Sequence, residues 1–207
     1  MSCIETATRN QITLKGSAQL VSEFFYYAIN SILYQRGVYP AENFKRVQKY
    51  GLTLLVTNDS EMDGFLMPLL EQMKNWLANK ELRRLVLVIA DIATKEVLER
   101  WQFNIETDST VQETGPHSTK TKDEKKVRQE ICDVIRQITA SVTFLPLLSN
   151  TCSFDVLIYT TKNSETPVGW TESGPKMVLN SGEVKLRSFS TSIHKVDTAV
   201  SYKNVDL

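Results

Sequence analysis

Neither sign of charge is in excess: 24 lysines and arginines stand against 24 aspartates and glutamates. A domain whose main task is holding nucleic acid carries a basic surplus to offset phosphate, so nucleic acid is not the expected partner. No apolar run approaches the roughly 18–20 residues that cross a bilayer as a helix, so no membrane insertion is expected. Residues 1–11 lack the basic-then-apolar order of a secretory signal. Cysteine is scarce. Cys3, Cys132 and Cys152 are odd in number and widely spaced, which suits reduced thiols in the cytosol or nucleus rather than a disulfide framework. Cys132 and Cys152 read as small buried apolar side chains.

Catalytic vocabulary is missing as well. There are 2 histidines, His117 and His194, and neither has a Cys, Asp or Glu at metal-ligand or dyad spacing. His117 reads as a solvated loop side chain and His194 as a surface or turn contact. The 8 glycines form no dinucleotide or phosphate-cradling pattern, and no nucleophile elbow occurs. Glu96 and Glu99 flank a hairpin, while Asp123 and Glu124 sit where a helix dipole welcomes negative charge. These absences point away from an enzyme, and no catalytic, metal or cofactor residue is nominated.

What is present is an ordinary globular composition, 42% apolar and 23% charged over 207 residues, enough for one well-filled core. Residues 12–15 alternate like a short strand, Gly16 breaks it, and Ser17 can cap a helix. Leu20, Val21, Phe24, Phe25, Ala28, Ile29, Ile32 and Leu33 then recur at helical spacing, with Arg36 and Gly37 closing the helix. Pro40 opens a short helix or turn with Phe44, Val47 and Tyr50 inward. Residues 52–56 read as a buried strand.

A second helix carries Leu69, Leu70, Met73, Trp76 and Leu77 on one side. It either starts at Pro68 or is kinked there. Residues 85–89 and 97–105 form a hairpin. Residues 107–123 are polar and aperiodic, a mobile loop. A third helix follows, with Val127, Ile131, Val134, Ile135, Ile138 and Val142 on its face. Residues 153–160 are apolar on both faces, which predicts a mid-sheet strand.

The C-terminal quarter is β throughout, and its apolar residues change parity from Val184 and Leu186 to Phe189 and Ile193, then to Val196 and Val200. With little apolar area in 188–193, this strand pair is either a weakly specified element able to change edges or a fixed polar edge hairpin. Trp170, in a polar loop, either anchors a partner or covers the local core. The reading is α+β, three helices on a mostly antiparallel sheet.

Several stretches carry a resemblance. They are ITLKGS at 12–17, NSILYQRGVYP at 30–40, KYGL at 49–52, EVLERWQF at 96–103, IRQITA at 135–140 with TFLP at 143–146, and LRSF at 186–189. In order and with few gaps from about residue 12 to 202, they closely resemble the HORMA-domain spindle assembly checkpoint family of the mitotic arrest deficient two type. The resemblance implies a single HORMA domain over 1–207, with a flexible N-terminus at 1–11 and a mobile C-terminal "safety belt" at 161–207. It implies a non-enzymatic switch between open and closed topologies, whose belt in the closed form crosses the sheet and encircles a short partner peptide. The implied partners are a coiled-coil kinetochore protein, the activator of the anaphase-promoting ubiquitin ligase, a second copy of the chain, a checkpoint-silencing HORMA-like protein and an AAA-type remodelling ATPase.

The implied location is the nucleus, kinetochore and spindle, and also the cytoplasm. No cofactor is implied. Another HORMA member, the adaptor of a translesion polymerase, is the alternative. The implied peptide contacts are Trp76, Phe154, Val156, Ile158, Tyr159 and Trp170. Arg136, Gln137 and Phe144 match the family's dimer contact, and Leu14, Phe189, Ile193 and His194 fall in the segments that move. Trp76 also reads as core. Gly64 and Pro68 depart from the family pattern at the front of the second helix.

Overall fold

Helix α1 (Leu14–Gln35) is the axis on which the other elements pack. The computed structural model describes residues 11–108, 110 and 120–204, so Cys3, His117, the first ten residues and most of the 107–123 loop lie outside the described residues. All eight stripe positions of α1 are buried. Its start differs from the expected one. Thr13 is the cap, its Oγ1 accepting the Gly16 N–H at 3.0 Å, and the strand contracts to β1 (Gln11–Ile12). Leu14 is therefore the first helical residue rather than a strand residue. Gly16, Ser17 and Ala18 do not break the chain; the last two are fully buried, so small size here serves close packing.

After a 3-10 turn (Ala41–Asn43), β2 (Phe44–Lys49) and β3 (Leu52–Thr57) form an antiparallel hairpin of their own. The short helical turn expected after Pro40 is present but ends at Asn43, and the strand β2 replaces its expected continuation through Phe44, Val47 and Tyr50. The spacing of Phe44, Val47 and Tyr50 imitates a helical face, whereas Tyr50 and Gly51 both take positive φ (52° and 72°) and turn the chain in two residues. Tyr50 tolerates that conformation while its hydroxyl donates to Glu23 Oε1 at 2.5 Å.

Helix α2 (Ser60–Ala78) is capped by Asp59, whose Oδ1 accepts from the Glu61 and Met62 N–H groups at 2.8 and 3.3 Å. It starts well before Pro68 and runs through it. β4 (Leu82–Asp91) and β5 (Val97–Thr107) form the expected hairpin. β6 (Lys120–Thr121), at the end of the expected loop, pairs with β1. α3 (Glu124–Ala140) buries the predicted stripe except Val142, which is exposed because the helix has already tightened into a 3-10 turn (Ser141–Thr143). β7 (Cys152–Thr160), β8 (Ser181–Lys185), β9 (Phe189–Ser190) and β10 (His194–Lys203) complete the chain.

The main sheet runs β7-β4-β5-β10-β8, with β9 beside β10, and every pairing is antiparallel. The principal core lies between one face of this sheet and the helices, where Phe24, Phe25, Trp101, Phe103 and Phe189 meet. A small second cluster of Val86, Val88 and Leu157 lies on the opposite face.

Inside the core, Arg36 pairs with Glu99 at 2.5 Å and donates to the Pro146 carbonyl, while Trp101 Nε1 donates to Glu99 Oε2 at 3.0 Å. Arg36 and Glu99 thus form a buried, fully hydrogen-bonded pair rather than a dipole cation and a hairpin-flanking acid. Removing either partner would leave the other uncompensated.

Candidate functional site

β7 is an edge strand. Among the described residues it pairs with β4 alone, which corrects the expectation that residues 153–160 lie mid-sheet. The sequence signal was real but had another cause. Phe154, Val156 and Ile158 face the helices, and Leu157 and Tyr159 face the opposite cluster, so both faces are apolar without a second neighbouring strand. An edge of nine residues with unpaired main-chain groups is a template for another chain unless something covers it.

What lies beside it is the segment 161–180, a strap. It leaves β7 at Thr161, whose N–H donates to the Glu81 carbonyl at 2.9 Å. On the helix side, Trp170 meets Trp76 of α2 edge-on, with ring centroids 5.3 Å apart. The strap then appears on the other face of the sheet. There the Pro175 carbonyl accepts from Arg100 Nε at 3.2 Å, and Lys176 Nζ pairs with Asp155 Oδ2 at 2.5 Å. Val178 is buried, and the Asn204 N–H donates to the Asn180 carbonyl at 2.9 Å just before β8 on the far edge. A strap that touches α2 on one face and Asp155 and Arg100 on the other passes around the β7 edge.

Between strap, α2 and β7 lies a groove of about 880 Å³. Its walls are Gly64, Phe65, Pro68, Leu69 and Trp76 from α2, residues 155–160 from β7, and parts of 165–176. Of the expected peptide contacts, Trp76, Val156, Ile158, Tyr159 and Trp170 are brought together here. Phe154 stands behind the wall, edge-on to Phe65 and Tyr39 at 5.7 and 6.0 Å. Tyr159 reaches the groove from the opposite face, under the Arg84 guanidinium at 5.5 Å. Trp170 and Trp76 pack on each other, as the core reading of each expects, and both also line the groove. Phe65 and Asp155 escaped the sequence reading, and Leu69 reads there only as part of the apolar face of the second helix. The spacing of Phe65, Leu69 and Trp76 down one helical face was the available signal. Asp155 Oδ1 accepts the Val156 N–H at 2.9 Å, so this donor of the edge strand is already engaged.

Arg136, Gln137 and Phe144 lie away from the groove, on and just after α3. Arg136 is exposed, 3.5 Å from Asp133, and Phe144 is 46% exposed. Gln137 is occupied, its Oε1 accepting the Arg187 N–H at 2.6 Å.

The segment left open between a weakly specified element and a fixed edge hairpin is anchored in this structure. Phe189 is buried with its ring 4.7 Å from Phe24, and Ile193 is buried too. His194 is fully buried, which corrects its reading as a surface or turn contact. Its Nε2 lies 3.2 Å from the Leu77 carbonyl, which can only accept, so Nε2 carries the proton. Nδ1 is then the acceptor for the Ser17 hydroxyl at 2.6 Å, and Ser17 Oγ lies 2.6 Å from Thr191 Oγ1. Thr191 Oγ1 also accepts from the His194 N–H at 2.9 Å. Hydroxyls that contribute little burial thus lock the turn before β10 to α1 and α2, which their polarity alone concealed. Burial drives the His194 pKa down to about 4, the nearby Lys80 adds to this, and the Leu77 carbonyl opposes it.

A HORMA domain model matches residues 17–200. The human mitotic spindle assembly checkpoint protein MAD2A is 54% identical over 200 residues, covering 97% of each chain. A chain in the crystal structure of a mitotic checkpoint complex superposes with a TM-score of 0.82 at 46% identity, covering 91% of this chain and 99% of that one. The C. elegans protein HTP-1, solved bound to the HIM-3 closure motif, shares the fold, with a TM-score of 0.76 at 12% identity over 92% of each chain. The alternative has thinner support: DNA polymerase zeta subunit 2 of Drosophila melanogaster is 26% identical over 148 residues. With a buried core, a strapped open edge and a near-full-length match all in agreement, the chain belongs to the HORMA-domain family, among its mitotic spindle assembly checkpoint proteins.

Proposed function

We propose that this checkpoint protein works without catalysis, by trapping a short extended peptide against β7 beneath the strap. The observation that carries the reading is an open nine-residue strand edge with a strap already closed around it. Main-chain hydrogen bonds to β7 supply affinity, and the groove walls select side chains. With β10 and β8 docked beyond β5, the C-terminal strands leave the β7 edge to the ligand, the arrangement implied for the closed form. Release or entry requires these strands to leave β5.

The partners that fit this reading are a coiled-coil kinetochore protein and the activator of the anaphase-promoting ligase, whose capture delays anaphase in the nucleus and at kinetochores. A checkpoint-silencing HORMA-like protein and an AAA-type ATPase would reverse it. Amide hydrogen exchange with and without a ligase-activator peptide tests capture. Joint gain of protection in β7 and in 161–180 is expected, and binding that leaves both unchanged would refute strand addition.

Self-docking is proposed for the exposed face of α3. Arg136→Glu places a like charge beside Asp133 and is expected to abolish self-association. Light scattering decides this, and a persistent dimer of the variant would remove Arg136 from the interface.

A further inference from the structure

Proline within a helix has no N–H for the carbonyl four residues earlier, and its ring pushes that carbonyl off the helix axis. In α2 that proline is Pro68 and the carbonyl belongs to Gly64. A Cβ at position 64 would meet nothing within 4 Å, so the backbone of α2 borders open space at this residue. Both residues line the groove, beside Phe65 and Leu69. The carbonyl is therefore a polar point on an otherwise apolar stretch of wall, and Phe65 beside it is 49% exposed. The nearby Asp155 is already engaged, Oδ1 by the Val156 N–H and Oδ2 by Lys176 Nζ, whereas the Gly64 carbonyl has lost its helical donor to Pro68.

We propose that the Gly64 carbonyl, freed by Pro68, is a specificity-determining acceptor that selects bound segments carrying a side-chain hydrogen-bond donor beside Phe65. The inference rests on the capture reading above. A segment laid along β7 strips water from this carbonyl, and an acceptor desolvated without a donor weakens binding. An ammonium, guanidinium, amide or hydroxyl restores the bond, whereas an apolar side chain of similar length cannot.

The test uses the full chain and pools of fluorescent peptides about as long as β7, each position fixed in turn as lysine, glutamine or norleucine. Anisotropy titration is expected to show one position at which lysine and glutamine outbind norleucine by about fivefold to tenfold. Pro68→Ala supplies the missing N–H to Gly64, and the ratio at that position should collapse towards one. With carbonyl-labelled glycine, the Gly64 carbon resonance should move with the glutamine peptide and not with the norleucine peptide. An equal ratio in native and Pro68→Ala proteins, or an unmoved Gly64 resonance, overturns the inference while capture itself stands. If no pool binds either protein, the capture reading falls and takes this inference with it.

Discussion

Replacing Phe189 by alanine is expected to loosen the C-terminal strands from helix α1 and to shorten sharply the lifetime of a captured peptide. Phe189 is essentially inaccessible and packs edge-on against Phe24, which in turn meets Phe25 and Phe103. A Phe→Ala change at such a site costs about 3–5 kcal/mol, a large share of the ~5–15 kcal/mol that holds a typical domain together. The loss should be local first. β9 has only two register pairs with β10, and its remaining ties are polar: Lys122 donates to the Ser190 carbonyl at 2.6 Å, and Glu130 accepts the Ser190 N–H at 3.1 Å. Exchange in β9 and β10 should therefore accelerate before exchange in β4 and β5. Peptide dissociation should quicken with it, since the strap ends in β8, which among the described residues pairs only with β10. An unchanged dissociation rate in a variant with faster β10 exchange would show that the strap is held elsewhere.

Acid should weaken the same anchor through His194. Its pKa lies near 4 in the folded chain against 6.5 when unfolded, so between these values the unfolded chain binds a proton that the folded chain refuses. Stability from this residue is complete above pH 6.5 and is lost as the pH falls towards 4. The loss amounts to roughly 3 kcal/mol across the window. Protonation also removes the acceptor that Nδ1 offers to Ser17, so the turn holding Thr191 should open with it. Denaturant midpoints from pH 7 downward, compared between the native chain and His194→Gln, isolate the contribution from that of the carboxylates. The native midpoint should fall more steeply than the variant's, and parallel curves would mean that His194 does not titrate in this range.

Both expectations concern a stretch whose sequence leaves open whether it is weakly specified or a fixed edge hairpin, and the reason it stays open is physical. In 188–193 the only large apolar residues are Phe189 and Ile193; the rest are serines and threonine. Area bookkeeping undervalues such a stretch because hydroxyls contribute through partners, and the partners here lie far away in sequence, at Ser17 and Leu77. The same holds for Arg36 and Glu99, whose pairing spans 63 positions. β2 was missed for a local reason: a spacing of three between Phe44, Val47 and Tyr50 fits a helix, and a tyrosine at positive φ is not a turn signal that sequence advertises. The groove was partly legible. Aromatic and aliphatic positions on β7 and α2 stand out in the sequence, while Asp155 and the Gly64–Pro68 pair acquire meaning only beside the strap.

The sequence by itself determined the three helices, the β4–β5 hairpin and the family, because apolar period and ordered motifs are carried by neighbouring residues. Only the tertiary structure decided that β7 is an edge, that residues 161–180 wrap around it, and that His194 is buried. Each depends on which distant segments meet, and a strand apolar on both faces has the same sequence whether a strand or a strap lies beside it.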